Sequence, residues 1–363
     1  MTEQDIAVET LGLSKRYGAV KALDAVDVTI DSGQYFVLLG PSGGGKTTLL
    51  RLIGGFVRPT EGRVLLHGTD VSDLPPNLRP TAMVFQSYAL FPHMTVERNV
   101  GYGLRLRKLP RGEIQRQVGD MLSLVGLEGL AGRMPHELSG GQQQRVQLAR
   151  ALVLEADILL LDEPLAALDA KLRKDMCLEL KRIQEQVGIT FVHVTHNQEE
   201  AMTVADRIAL IADGRLVEEG SPREIYQRPR KRFTADFVGE TNIFDGNVTA
   251  TNGGRATVDL GFAGVDVLAD QSTLQAGASV AVSIRSELLT LHDAAPGGDD
   301  WQRMPARYVK EIYLGPTTAH RLQLPNEAEV VVQDLSHGDR PTFTAGQPLF
   351  LAWRTGDACL HTD

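Results

Sequence analysis

Residues Gly40 to Thr47 read Gly-Pro-Ser-Gly-Gly-Gly-Lys-Thr, which fits the pattern G-x-x-x-x-G-K-[ST]. Holding a phosphate chain needs backbone N–H groups that converge on one concavity, and glycines allow that approach without side chains in the way. Lys46 supplies a point charge for the β- and γ-phosphates, and Thr47 offers a hydroxyl to Mg2+. A helix starting at Lys46 adds its positive N-terminal end. The candidate phosphate contacts are Gly40, Pro41, Ser42, Gly43, Gly44, Gly45, Lys46, Thr47 and Thr48. A plain flexible glycine loop is the alternative, and the expected strand before it and helix after it argue against that.

A second chemical set closes the apolar run Ile158–Leu161, where Asp162 and Glu163 place two carboxylates at a strand end. Asp162 suits holding Mg2+ through water, and Glu163 suits taking a proton from an attacking water. Alone, such a pair is a solvated acidic turn. A third set, Leu138-Ser139-Gly140-Gly141-Gln142, opens a helical stretch carrying Arg145 and Arg150. Ser139 can cap that helix, and the N–H groups of Gly140 and Gly141 can meet a phosphate. Alone, it is a capped helix start.

The elements that must position these groups follow from periodicity. Residues 6–38 alternate like strands, with a turn at Asp31-Ser-Gly33, and Tyr35–Leu39 is a continuous apolar run suited to a strand buried on both faces. A helix is expected from Lys46 to Gly54, a hairpin around His67-Gly68, helices over 113–125, 141–154 and 170–187, and buried strands at Ile158–Leu161 and Thr190–Val194. Val204–Ile211 and Arg215–Glu218 flank Asp213-Gly214, a hairpin signal. Alternating strands and helices imply an α/β unit on a parallel sheet. From Asn242 onward short strands and glycine turns dominate, which predicts an all-β domain of barrel type, with a loop at 294–300. The expected division is 1–238 and 239–363.

Bulk composition sets limits on the alternatives. The chain has 363 residues, 42% hydrophobic and 23% charged, which suggests two or three domains of an ordinary globular protein. The net charge of −9 gives no general attraction to nucleic acid phosphates or anionic lipids. Cys177 and Cys359 lie too far apart in sequence for metal-ligand spacing and read as two reduced thiols. The N-terminal stretch lacks a signal-peptide pattern, and no apolar run approaches the ~20 residues of a membrane span. If the protein works at a membrane, other chains anchor it.

In this order, the three motifs resemble those of the ABC transporter ATPase family, and the likeness runs from about Leu11 to Val238. The resemblance implies a P-loop NTPase cassette, with a RecA-like core and a helical subdomain, that binds and hydrolyses ATP with Mg2+. It implies further roles in the same order. Tyr17, in Lys15-Arg-Tyr-Gly18, looks like the aromatic that stacks on adenine. Gln86, in Val84-Phe-Gln-Ser-Tyr88, looks like the glutamine that touches Mg2+ and water and relays to a membrane partner. Asp169, in Ala167-Leu-Asp169, looks like part of the loop that crosses a dimer interface, and His196 looks like the histidine at the γ-phosphate. Glu163, His196, Lys46 and Gln86 are thus the implied catalytic set, and Thr47, Gln86 and Asp162 the implied metal set. Ser139, Gly140, Gly141 and Gln142 would meet the ATP held by a second copy, so a homodimer, or a pair with a similar chain, is implied.

Finer likeness points to import. Leu74–Thr81, Val84–Met94 and Phe237–Phe244 are similar to spermidine/putrescine importer ATPases. Tyr313–Thr318 and Leu349–Trp353 resemble the small oligomer-binding-type (OB-type, TOBE) β domain of such importers, whose role here is either a dimerisation prop or a regulatory ligand site. The resemblance implies transmembrane permease subunits as partners, indirectly a solute-binding protein, no nucleic acid, and a peripheral place on the cytoplasmic face of the membrane. Iron, sulfate, sugar and opine importers share much of the pattern, because this subunit does not touch the solute. Two residues depart from the family: Ala166 stands where many relatives have serine, and Ser286 where Arg-Pro-Glu is usual. A soluble ABC protein acting on ribosomes or DNA would bring two cassettes or a long coiled coil. Only about ninety residues, with no heptad run, separate Lys46 from Leu138. A small-molecule kinase would need an acceptor pocket and lid rather than Leu138–Gln142.

Overall fold

The structure, a computed structural model, describes residues 5–86, 89–269, 274–298, 300–336 and 342–363. Ser87 and Tyr88 of the Val84–Tyr88 motif, and Asp299 of the 294–300 loop, lie outside the described residues. The chain divides into two compact units, Met1–Pro222 and Arg223–Asp363.

The first unit is built on a six-stranded sheet in the order Arg215–Gly220, Arg207–Ala212, Tyr35–Leu39, Thr190–Val194, Ile158–Asp162, Thr81–Val84. Every pairing is parallel except that of the Arg207–Ala212 and Arg215–Gly220 hairpin. Tyr35–Leu39, Ile158–Asp162 and Thr190–Val194 are buried at every residue, as continuous apolar runs in a covered parallel sheet must be. The parallel strands bring the chain segments after Leu39, Val84, Asp162 and Val194 to one edge of the sheet, which is where ligands meet open α/β sheets.

An antiparallel sheet in the order Val20–Asp31, Ile6–Tyr17, Glu61–Leu66, Thr69–Asp70 accompanies the parallel one. Helix Lys46–Ile53 buries Leu49, Leu50, Leu52 and Ile53 in one apolar cluster with Val28 and Ile30 from the antiparallel sheet and Phe36, Leu160 and Val192 from the parallel one. Helix Lys46 onward is therefore held on both sides, and its N-terminus cannot drift from the strand that feeds it. Helices Arg111–Leu124, Gly140–Leu152 and Ala170–Val187 lie within a few residues of expectation. Val204 corrects the expected hairpin: it closes helix Gln198–Val204, and the strand starts at Arg207. Val204 is fully buried on the helix, so its apolar character serves helix packing.

The second unit carries two five-stranded antiparallel sheets. Both contribute to one core, with Val248, Val258 and Val282 from the first and Met304, Leu322, Val332, Leu351 and Trp353 from the second. Residues 223–238, expected with the first domain, belong to this unit. The reason is Arg285, whose guanidinium donates to the carbonyls of Tyr226 (2.6 Å) and Ala235 (3.2 Å) and also to that of Val238. Helices Pro222–Gln227 and Arg232–Phe237 thereby end on a strand of the β unit, a tertiary contact that leaves no periodic signal in the sequence. Ser286 receives a hydrogen bond from Asn242 Nδ2 at 3.4 Å, so its hydroxyl is used where the family's proline would offer none.

Candidate phosphate and hydrolysis site

The loop between Leu39 and Lys46 is a tight cradle. Gly45 has φ +108°, and a Cβ there would sit 2.6 Å from the Ala22 carbonyl oxygen. A Cβ on Gly40 would sit 2.0 Å from that of Ile211. Glycine is thus required twice over, by conformation and by space. Lys46 is buried, and its Nζ donates to the carbonyls of Gly40 (2.7 Å) and Pro41 (2.8 Å) across the loop. Burial pulls its pKa below the usual lysine value, against the opposing pull of the Glu163 and Asp162 charges. A polar cavity of about 200 Å³ opens on this loop, lined by Ala22, Ser42–Thr48 and Glu163.

Thr47 Oγ1 donates to Asp162 Oδ1 at 3.0 Å, and Arg51 Nη2 lies 3.8 Å from Asp162 Oδ2. Burial raises the Asp162 pKa, while the Thr47 hydrogen bond and the Arg51 charge pull it down. Thr47 and Asp162 present adjacent hard oxygen donors, a chemistry that fits Mg2+ rather than a soft metal.

Glu163 stands between two partners. Gln86 Nε2 donates to its Oε2 at 3.2 Å, and His196 Nδ1 lies 3.2 Å from its Oε1. Its backbone has φ +45°, a left-handed conformation that disfavours a non-glycine residue. The peptide is nevertheless held, because Glu163 N–H donates to the Val194 carbonyl at 3.0 Å. Strain of this kind, roughly 1–2 kcal/mol, persists where surrounding contacts over-determine the position. The tertiary structure therefore brings Lys46, Thr47, Gln86, Asp162, Glu163 and His196 to one sheet edge.

The remaining predicted residues are held elsewhere. Ser139 caps helix Gly140–Leu152: its Oγ accepts from Gln142 N–H (3.3 Å), and Ser139 N–H donates to Gln142 Oε1 (3.0 Å), a reciprocal capping box. Asp169 caps helix Ala170–Val187 by accepting from Leu172 N–H at 3.0 Å. Tyr17 is half exposed beneath Lys15 Nζ. None of Tyr17, Ser139–Gln142 and Asp169 lines the phosphate cavity. Sequence reasoning missed the residues that hold Gln86. Gln147 Nε2 donates to the Phe85 carbonyl (2.9 Å) and Arg150 Nη1 to that of Ala89 (2.8 Å), so the helix begun by Ser139 pins the chain on both sides of Gln86. The signal was available: both side chains lie on the helix that carries the third motif.

Residues 23–166 match the ABC transporter family and residues 282–360 the TOBE domain family. The chain belongs to the ABC transporter family of ATP-binding proteins. It is 45% identical over 350 residues to the spermidine/putrescine import ATP-binding protein of Rubrobacter xylanophilus, covering 96% of this chain and 92% of that one. To the protein of the same description from Roseobacter denitrificans it is 44% identical over 357 residues, covering 98% and 97%. Among solved structures, cbiO1 of Clostridium perfringens, part of the ABC transporter complex cbiONQ, superposes with TM-score 0.58 at 31% identity, covering 61% of this chain and 91% of that one. A dimeric ATP-binding cassette in a post-hydrolysis state with ADP and Pi gives 0.53 at 33% identity, covering 60% and 99%. The first unit is accordingly an ATP-binding, ATP-hydrolysing cassette, and the second an OB-type β unit.

Proposed function

We propose that this chain drives the import of a polyamine, of the putrescine or spermidine class, by hydrolysing ATP as a homodimer beneath transmembrane permease subunits. The observation that carries the ATPase half is the Glu163 carboxylate, bracketed by Gln86 and His196 beside the Lys46–Thr47 cradle. Lys46 and the loop N–H groups hold the phosphates. Thr47, Asp162 and Gln86 would hold Mg2+, which when bound would supply neutralisation of phosphate charge. Glu163 accepts the proton of the attacking water, His196 orients Glu163 and meets the γ-phosphate, and Tyr17 stacks on adenine.

Ser139 and Asp169 cap the starts of helices Gly140–Leu152 and Ala170–Val187, and the family resemblance has Ser139–Gln142 meet the ATP of a second copy, which favours a head-to-tail pair in which each copy completes the other's site. ATP binding then favours the closed pair and hydrolysis releases it. Polyamine import rests on the relatives' descriptions and their near full-length coverage. Among the described residues no helix is long and apolar enough to cross a membrane, so a peripheral place on the cytoplasmic face needs the permease as anchor. The solute-binding protein would act through that permease. The test is to purify the whole complex and measure ATP turnover with candidate solutes on their binding protein. Putrescine or spermidine should stimulate it; silence with both and a response to iron, sulfate, a sugar or an opine would overturn the polyamine reading and leave the ATPase standing.

A further inference from the structure

His196 is the middle residue of a turn that is tied down from beneath. Thr195 Oγ1 donates to Glu200 Oε2 at 2.7 Å, Asn197 N–H donates to Thr195 Oγ1 at 2.9 Å, and Glu200 N–H donates to Asn197 Oδ1 at 3.0 Å. The other carboxylate oxygen, Glu200 Oε1, lies 3.4 Å from Arg173 Nε. Arg173 in turn donates from Nη2 to the Leu168 carbonyl at 2.8 Å. Leu168 is the centre of Ala167–Asp169. A continuous line of polar contacts therefore runs from that segment through Arg173, Glu200 and the 195–197 turn to His196, and from His196 to Glu163.

The line is not an incidental surface ion pair. Glu200 is buried, and a buried carboxylate is kept only with satisfied partners. Burial raises its pKa, opposed by the Thr195 hydrogen bond and the Arg173 charge. His193 Nε2 also lies 3.8 Å from Glu200, but complete burial drives the His193 pKa down to about 3, so that ring is neutral and Arg173 is the permanent cation at the site. Arg173 faces both groups at once: Nη2 donates to the carbonyl, while Nε stands 3.4 Å from the carboxylate as an ion pair without hydrogen-bond geometry. A lysine could pair with Glu200 but could not span both.

We propose that Arg173 and Glu200 are positioning residues that couple the place of Ala167–Asp169 to the orientation of His196 and so of Glu163. This rests on the reading that a second copy docks against Ala167–Asp169: docking moves the Leu168 carbonyl, Arg173 follows it, and the 195–197 turn is drawn with Glu200. A misplacement of a catalytic group by about 1 Å can cost up to a hundredfold in rate, so modest slack in this line suffices to slow turnover.

The experiment measures ATP hydrolysis by the full chain with Mg2+, alongside melting temperature, for Arg173→Met, Arg173→Lys, Glu200→Gln and the Arg173→Met/Glu200→Gln double variant. Glu200→Gln keeps an oxygen for Thr195 and loses the charge. Each single variant should lower kcat by about tenfold with KM for ATP within about twofold. The double variant should lose no more than the worse single one, as for members of one line. Arg173→Lys should restore the melting temperature of Arg173→Met but not its kcat, whereas a space-filling ion pair would restore both. Losses that multiply in the double variant, or that move KM and melting temperature together with kcat, overturn the coupling. So does an unchanged kcat. A parent chain that hydrolyses no ATP would overturn the functional reading, and the coupling with it.

Discussion

Replacing Glu163 by glutamine removes a proton acceptor and little else. The side chain keeps its length, and its amide oxygen can still accept from Gln86 Nε2, now 3.2 Å from the carboxylate. Its NH2 can donate to His196 Nδ1, which stands 3.2 Å away. The left-handed φ of +45° burdens both side chains equally, so the strain cancels in the comparison. Lys46, Thr47 and Asp162 keep their partners. What remains is the lost general base, worth about 10²–10⁴ in rate. We expect kcat to fall about a thousandfold, or about 4 kcal/mol of barrier, with ATP affinity within about threefold of the parent. Because ATP then binds without being consumed, Glu163→Gln should accumulate as closed, ATP-bound dimers. Phosphate release under single-turnover conditions reads the rate, and sedimentation with ATP and Mg2+ reads the dimer. A variant hydrolysing at the parent rate, or one slowed only because it no longer binds ATP, would refute the assignment of Glu163 as base.

Lys46→Ala should abolish ATP-driven closure in the same sedimentation assay, since it removes the cation of the cradle and the Nζ that bridges the Gly40 and Pro41 carbonyls, leaving Pro41 with only the Gly44 N–H. His193 is neutral in the fold, with its pKa lowered to about 3, while the unfolded chain protonates near 6.5. The folded form therefore loses stability as pH falls through the unfolded value. Between pH 6.5 and 5 this costs roughly 1.5 kcal/mol, so denaturant midpoints of His193→Gln should decline less steeply over that range than the parent's. Asn242 bridges two strands of the β unit, donating to the Val331 carbonyl and accepting from the Val331 N–H, both at 2.8 Å. Asn242→Ala leaves that donor and acceptor without their partner and should cost about 2–4 kcal/mol in urea unfolding followed by the fluorescence of Trp301 and Trp353; a loss under about 0.5 kcal/mol, the usual range for a surface substitution, would show the bridge to be dispensable.

Much of the site was legible because its chemistry is local. Seven consecutive residues, Gly40–Lys46, make the cradle, and a strand ending in Asp162-Glu163 carries its own carboxylates. The buried runs Tyr35–Leu39, Ile158–Leu161 and Thr190–Val194 could be read as strands from apolar content alone, since a parallel sheet covered on both faces asks for nothing else. One helix cap, Ser139, was equally local. Helix Gln198–Val204 was misread at its end because a short apolar stretch carries no period by which helix and strand differ.

Tertiary structure decided what the sequence could only order. Gln86, Glu163 and His196 lie on three separate loops, and their contact depends on three strands pairing in parallel register, which no single segment encodes. The partners Arg173 and Glu200 are ordinary helix charges when read in line. Packing of two helices sets the half-buried Arg173 3.4 Å from the buried Glu200 as an ion pair. The same holds for Arg285, whose reach to Tyr226 and Ala235 assigns residues 223–238 to the β unit. A motif declares which groups can act because backbone geometry and side-chain chemistry are carried within a few residues. Which groups meet, and what holds them there, is set by long-range packing.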